Sequence, residues 1–297
     1  MSIVVTYQSA GTIERCLRSL KESTKHTEII VVDNASSDDT VKVISDRFPD
    51  VHLIQSTTNL GFAGGCDVGF AQLISKQADA TFLCNPDVVV ESTCLEFLLE
   101  ALSQDEGFGA VSPLTIHEES GEILYAGARF DIENLDFGFI GWGEVDEGQY
   151  RETVATGMPT GGSMMISAGA LQRVGVLDPK TFLFWEELEW TIRAYAAGYK
   201  IGFVAGARAS HAFGHSTGGT HSALTTYYFT RNQLRIFTEI SGRSRLNVSL
   251  IVLVRSLRSL IEVYSRFGIV RCWRVAKATA FAFLDFWRGK QGRSTRY

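Results

Sequence analysis

The sequence predicts an α/β domain built on a mostly parallel central sheet with helices on both faces, and three observations carry that prediction. Apolar runs rich in β-branched residues alternate with segments of helical periodicity from the first residues onward. Two of those runs end directly on acids: Glu28-Ile29-Ile30-Val31-Val32 meets Asp33, and Thr81-Phe82-Leu83-Cys84 meets Asn85-Pro86-Asp87. Cap-forming residues, Ser36-Ser37-Asp38-Asp39 among them, stand ahead of the helical segments.

A strand over 2–7 opens the chain, followed by a helix over 11–23 with Ile13, Leu17 and Leu20 on one face. Strand 28–33, helix 38–48 (Val41, Ile44, Phe48) and strand 51–55 continue the alternation. Helix 66–76, strand 80–84, a helix over 91–104 opened by Glu91 and Ser92, and strand 109–113 extend it. Between about 115 and 160, Gly121, Gly127, Gly138, Gly141, Gly143 and Gly148 interrupt short aromatic strands. That is the pattern of a hairpin-and-loop insertion, a usual place for substrate contacts. The α/β pattern returns with strand 163–167, a short helix over 168–174, a helix over 186–197 stopped at Gly198, and strand 200–205.

A different texture begins near Arg243. Leu246, Leu250, Leu253, Val254, Leu257, Leu260, Ile261 and Tyr264 recur at helical spacing opposite Arg255, Arg258, Glu262 and Arg266, and a second amphipathic helix runs from Phe267 to Trp287. From Arg243 to the end there are 12 Lys and Arg against 2 acids, a net of +10, whereas residues 1–242 carry 16 against 31, a net of −15. The expected organisation is therefore a catalytic-type domain over 1–242 and a basic helical tail over 243–297. Two readings of the tail stay open: a helical cap packed on the domain, or a surface for anionic membrane lipid. No nucleic-acid module accompanies the basic segment, so nucleic acid is not the expected partner.

Composition bounds the rest. A chain of 297 residues, 45% hydrophobic and 21% charged, suits one sizeable α/β domain with an appendage. Five scattered cysteines without Cys-x-x-Cys spacing argue against a disulfide framework or a zinc site. The first residues read as a strand rather than a secretory signal, and no apolar run reaches the roughly 18–20 residues needed to span a bilayer. The expected location is cytoplasmic, peripheral on the inner face of the cell membrane.

In an open sheet, ligands bind beyond the carboxyl ends of the strands, so Asp33 and Asp87 share one crevice if their strands are neighbours. Together they favour a nucleotide diphosphate held through a divalent cation, although local turn chemistry accounts for either acid taken singly. An Asp at a strand end accepts from a base N–H or a ribose hydroxyl, and the glycines from Gly61 to Gly65 let backbone approach a phosphate or sugar. Gly64 and Gly65 also suit a turn into the next helix. Glu186-Glu187-Leu188-Glu189 opens a helix, where the dipole alone favours acids.

The order of these motifs resembles the family 2 glycosyltransferases of GT-A fold, a Rossmann-like architecture, and especially their rhamnosyltransferase-like branch. The resemblance covers about residues 2–240. It is carried by Val4-Val5-Thr6-Tyr7, Val31-Val32-Asp33-Asn34-Ala35-Ser36-Ser37-Asp38, Asn59-Leu60-Gly61-Phe62-Ala63-Gly64-Gly65, Asn85-Pro86-Asp87, Thr160-Gly161-Gly162, Trp185-Glu186-Glu187, His211 and Tyr227 through Asn232.

The resemblance implies that Thr6, Tyr7 and Asp33 hold the nucleoside, with Asn59, Gly61 and Gly64 nearby. Asn85-Pro86-Asp87 is similar to the family's Asp-x-Asp motif, implying Mg2+ or Mn2+ held by Asp87 and His211, while His215 has no such support. Glu187 falls on the position of the family's general base, where the usual residue is Asp. Gly161 and Gly162 would line the sugar pocket. Arg231 either contacts the diphosphate or serves as a structural ion-pair partner.

The implied activity is inverting transfer of a sugar, with rhamnose from dTDP-rhamnose expected, to a glycan or lipid-linked glycan in polysaccharide synthesis. The alternatives are a UDP-sugar donor on the same fold, or a non-catalytic nucleotide- or glycan-binding membrane scaffold.

Overall fold

The computed structural model describes residues 1–76, 78–212 and 221–297. In chain order its elements are β1 (Ser2–Thr6), α1 (Ile13–Lys21), β2 (Ile29–Asp33), α2 (Thr40–Arg47), β3 (His52–Gln55), α3 (Gly61–Lys76), β4 (Ala80–Cys84), β5 (Val88–Val90), α4 (Cys94–Gln104) and β6 (Phe108–His117). There follow β7 (Ile123–Tyr125), β8 (Ala128–Asp131), β9 (Asp136–Phe139), β10 (Val154–Thr156), β11 (Ser163–Ser167), α5 (Ala168–Val174), α6 (Glu186–Ala196), β12 (Lys200–His211), α7 (Ala223–Ser241) and α8 (Arg245–Trp287).

The strands of the main sheet lie in the order β10-β12-β6-β11-β4-β1-β2-β3, with β5 added on β12 and β7 on β6. The β4-β1-β2-β3 block and the β12-β6 pair are parallel, and β11 runs antiparallel between the two groups. Strands buried on both faces read as nearly continuous apolar runs, as Ile29-Ile30-Val31-Val32 does. Successive residues of β1 divide between two cores. Val4 packs with Ile13, Leu17, Ile44 and Leu98 under α1, α2 and α4, whereas Ile3 and Val5 pack with Cys66, Phe70, Ala170 and Trp190 under α3, α5 and α6. A third core joins the insertion to α7 and α8 through Tyr125, Leu135, Trp185, Phe237, Val248 and Val252.

Register fixes where the strands end. Thr6 lies opposite Asp33, Val4 opposite Cys84, and Ser163 at the start of β11 opposite Cys84. The carboxyl ends of β1, β2 and β4 and the amino end of β11 therefore meet at one edge of the sheet.

Several elements depart from the sequence expectation. Helix α3 starts at Gly61 rather than near residue 66, because the Asn59 Oδ1 accepts from the Gly61 N–H at 2.8 Å and fixes the first turn there. Gly65 and Gly69 are thus helical, and a Cβ on either would meet Val5 or Ile3 of β1 at 2.5 and 2.6 Å, so they let the helix lie close on the strand. Capping is also redistributed. Asp38 accepts from the Thr40 N–H at 3.1 Å ahead of α2, but at α4 it is the Glu91 backbone carbonyl, not the Glu91 or Ser92 side chain, that takes the Cys94 N–H. Strands β6 and β12 run several residues past their expected ends, to His117 and His211. Helix α7 has no counterpart in the sequence expectation, because its Tyr- and Thr-rich, largely buried sequence lacks a one-sided apolar stripe.

Candidate active site

A cavity of about 720 Å³ opens at the strand-end edge of the sheet. Thr6, Tyr7, Asn59, Gly61, Asn85, Asp87, Gly161, Gly162, Glu187 and His211, expected from residues spread over two hundred positions, all line it.

The polar centre is assembled by backbone pairing. The Asn85 N–H donates to the Gly162 carbonyl at 2.9 Å, tying the end of β4 to the start of β11. Three residues later β5 pairs with the end of β12, His211 opposite Val88, so the His211 Nε2 comes to 2.9 Å from the Asp87 Oδ1. Both side chains are largely buried. Gly162 stands between His211 and Asn85: a Cβ there would lie 3.1 Å from the His211 ring and 3.3 Å from the Asn85 amide. Its neighbour Gly161 faces the other acid, since a Cβ at that position would sit 3.4 Å from the Glu187 carboxylate. Two adjacent glycines thus separate Asp87 and His211 on one side from Glu187 on the other.

Glu186 and Glu187 are presented by an unusual approach. Phe182, Phe184 and Trp185, just ahead of α6, all have left-handed backbone, φ 66°, 65° and 75°. Non-glycine residues adopt that region at a cost and only when their surroundings impose it. The imposing groups are Asn232, whose amide donates to the carbonyls of Thr181, Leu183 and Phe184 at 2.8, 2.8 and 3.0 Å, and Arg231, whose guanidinium donates to Thr181 O at 3.1 Å and Gly292 O at 2.7 Å. The Phe182 carbonyl in turn accepts from Phe62 N at 2.7 Å. Gly61 accordingly has φ +76° and no room for a Cβ, which would fall 2.3 Å from that carbonyl.

Burial raises the pKa of Glu187 to about 7. Glu186, more deeply buried and beside Glu187, is held well above the carboxylate range by desolvation first and by its neighbour's charge second. Its Oε2 has no hydrogen-bond partner. A carboxylate titrating near neutrality at a cavity wall suits proton abstraction.

Three expected residues stand apart from the cavity lining. Asp33 turns its Oδ2 back to the Ser36 N–H at 3.0 Å, while its Oδ1 is buried without a partner, as is the Thr6 Oγ1 across the β1-β2 register. Gly64 lies within the first turn of α3, where a Cβ would meet Leu60 at 3.0 Å. Arg231 is corrected outright as a diphosphate contact: it is 3% exposed, and its guanidinium is committed to Thr181, Gly292 and Asn232. It belongs to the clamp on the approach to α6. His215 lies outside the described residues.

The cavity also has walls that sequence reading did not name. Phe137, Phe139 and Trp142 come from the insertion, Thr226 and Phe229 from α7, and Arg255, Ser256, Ser259, Val275 and Thr279 from α8. The aromatic insertion was visible as a class of segment; the α8 contribution had one signal, the polar Ser256 and Ser259 three apart on a helix otherwise striped with leucine.

Among the described residues no group of three or more His, Cys, Asp and Glu side chains gathers as a metal cage. The pair Asp87 and His211, buried and within 3 Å of each other beside Asn85, nonetheless offers donors that would fit a hard divalent cation.

Residues 2–175 match the sequence model of the family described as Glycosyl transferase family 2. Among curated proteins, the chain is 28% identical over 254 residues to an N-acetylglucosaminyl-diphospho-decaprenol L-rhamnosyltransferase of Mycobacterium tuberculosis, covering 76% of this chain and 82% of that one. It is 23% identical over 252 residues to the dTDP-rhamnosyl transferase RfbF of Shigella flexneri, covering 78% and 77%. Among solved structures, a mannosyltransferase from Pyrobaculum calidifontis in complex with GDP-Man and Mn2+ superimposes with a TM-score of 0.58 at 16% identity, over 97% of this chain and 81% of that one.

Proposed function

The chain belongs to glycosyl transferase family 2, and from that premise we propose that it is a metal-dependent inverting transferase that moves rhamnose from dTDP-rhamnose to a glycan or lipid-linked glycan acceptor. The observation that carries the reading is the division of one cavity by Gly161 and Gly162 into an Asp87-His211 side and a Glu187 side. Displacement with inversion needs this arrangement, a leaving group held on one side and a base on the other.

The nucleoside is assigned to the cavity wall at the end of β1, where Thr6 and Tyr7 stand and the Thr6 Oγ1 lacks a partner, with Asp33 behind that wall across the β1-β2 register. Asp87 and His211 hold the cation, Mg2+ or Mn2+, which when bound neutralises the charge developing on the departing diphosphate. Glu187 removes the proton from the acceptor hydroxyl as that oxygen bonds to the anomeric carbon and the bond to the diphosphate oxygen breaks. Phe137, Phe139 and Trp142 exclude water from the sugar and offer it apolar faces. The rhamnosyl donor is supported by the names of the two curated relatives, and the lipid-linked acceptor by the first of them.

The test is nucleoside diphosphate release by purified protein offered dTDP-rhamnose and a panel of UDP-sugars with Mg2+ or Mn2+. Release from dTDP-rhamnose, lost on chelation, is the expected result. Release only from a UDP-sugar would reassign the donor, and tight donor binding without release under any condition would make the protein a non-catalytic scaffold.

A further inference from the structure

Helix α8 is turned the wrong way round for a protein whose surroundings are only water. Its apolar row, Leu246, Leu250, Leu253, Val254, Leu257, Ile261 and Tyr264, recurs at three and four residues and is 41–71% exposed throughout. The opposite face, turned to the body, carries Arg255, Ser256 and Ser259 at the cavity wall beside the buried Val248, Val252 and Val263. At Gly268, with φ 77° and ψ −176°, the helical path breaks, and around that bend Phe267, Ile269, Val270 and Trp273 are 45, 68, 65 and 70% exposed. Monomeric proteins rarely leave so long an apolar surface uncovered.

The charge around it selects the occupant. Arg258, Arg266, Arg271, Arg274 and Lys277 flank the apolar row and the bend, against Glu262 alone, which pairs with Arg266 at 3.1 Å. An apolar face rimmed by cations on a segment of net charge +10 fits an anionic lipid surface, where apolar groups enter the interface and basic side chains meet the headgroups. A second copy of this strongly basic face would instead meet like charge. No helix among the described residues is long and apolar enough to cross a membrane.

We infer that the outer face of α8 and the bend at Gly268 dock on an anionic bilayer, apolar side chains in the interface and arginines at the headgroups, so that the cavity mouth stands at the membrane surface. The bend adjoins that mouth. Arg271 donates to the carbonyl of His221 at 3.5 Å, the His221 and Phe267 rings are 5.7 Å apart, and His221 lines the cavity. One helix therefore has its outer side on lipid and its inner side on the acceptor, and a lipid-linked substrate reaches Glu187 without leaving its leaflet. The docking surface stands on exposure and charge; only its purpose rests on the transferase reading.

The experiment is co-sedimentation of the full chain with phosphatidylcholine vesicles with and without phosphatidylglycerol, alongside nucleoside diphosphate release measured without vesicles. Wild-type protein is expected to bind the anionic vesicles selectively. The double variants I269E/W273E and R258E/R274E should each lower that binding by about tenfold or more, whereas V145E, at an apolar residue 67% exposed on the insertion, should leave it unchanged. Equal binding by wild type and both double variants overturns the inference. So does a stable dimer in solution that I269E/W273E disperses, because a second copy then covers the face. Donor turnover retained by I269E/W273E confirms that any loss of vesicle binding is a loss of docking, and donor turnover absent from wild type would sink the transferase reading while the vesicle result stands.

Discussion

The strand-end half of the cavity and its helical half are made of different materials. On the strand side, Thr6, Asn85, Asp87, Gly162 and His211 are placed by backbone register, each within a residue or two of a paired strand position. On the helical side, Phe139, Trp142, Phe229, Ser256, Ser259 and Val275 are placed by side-chain packing between an insertion and two consecutive helices far from it in the chain. A strand end is held by hydrogen bonds on both sides and does not readjust when a ligand arrives, which suits groups that must face developing charge. A packed wall of side chains repacks more readily, which suits recognition of a variable acceptor. Glu187 stands at the seam, its position set by a strained turn that α7 holds down through Arg231 and Asn232.

The difference can be broken at its strongest point first. Glu187→Gln should lower turnover by about 10²–10⁴-fold with thermal unfolding nearly unchanged, the span expected for loss of a general base; near-normal turnover would put the base elsewhere. Asp87→Ala on the strand side should lower turnover by about 10²–10³-fold and remove the metal dependence of donor binding by calorimetry. Asn232→Ala tests the seam. It leaves carbonyls of the strained turn without a donor, so stability should fall by about 1–3 kcal/mol in denaturant titration, and turnover should fall more than donor affinity does.

Glu186→Gln should act through pH on stability rather than on rate. Because Glu186 is already protonated where Glu187 ionises, and burial is what raises Glu187, the acidic limb of the rate profile, expected near pH 7 in the wild type, should stay in place. The stability sign follows from the same shift: a carboxyl whose folded pKa lies above its unfolded value is stabilising when protonated, and that stability is lost as pH rises from the ordinary carboxylate range. Glu186→Gln should therefore flatten the fall in melting temperature on the alkaline side. The smallest effect belongs to the helical wall, where Trp142→Ala should raise the acceptor KM by about five- to tenfold with little change in kcat.

How much of this was legible in the sequence follows the same division. The strand-end acids, the Asn-Pro-Asp turn and the paired glycines are local patterns, each a few residues long and adjacent to an apolar run that announces a strand. Arg231 could be found as a charged residue of the Tyr227 through Asn232 motif, but whether its guanidinium met a diphosphate or Thr181 and Gly292 depended on segments 50 and 61 residues away. The start of α3 was misplaced because glycine-rich sequence argues for a turn until a strand lying close against it explains the missing side chains. The tail was legible as amphipathic and basic, yet nothing in its periodicity says which face turns inward.

The chain by itself determined the α/β alternation, the parallel strands and the acids at their ends, because hydrophobic period and cap chemistry act over one turn or one strand. Only the tertiary structure decided that Asp87 meets His211 across 124 residues, that α7 clamps the turn before Glu187, and that α8 shows its serines to the cavity and its leucines outward. Those outcomes depend on which surfaces compete for burial once every element has formed, and that competition is settled between segments rather than within them.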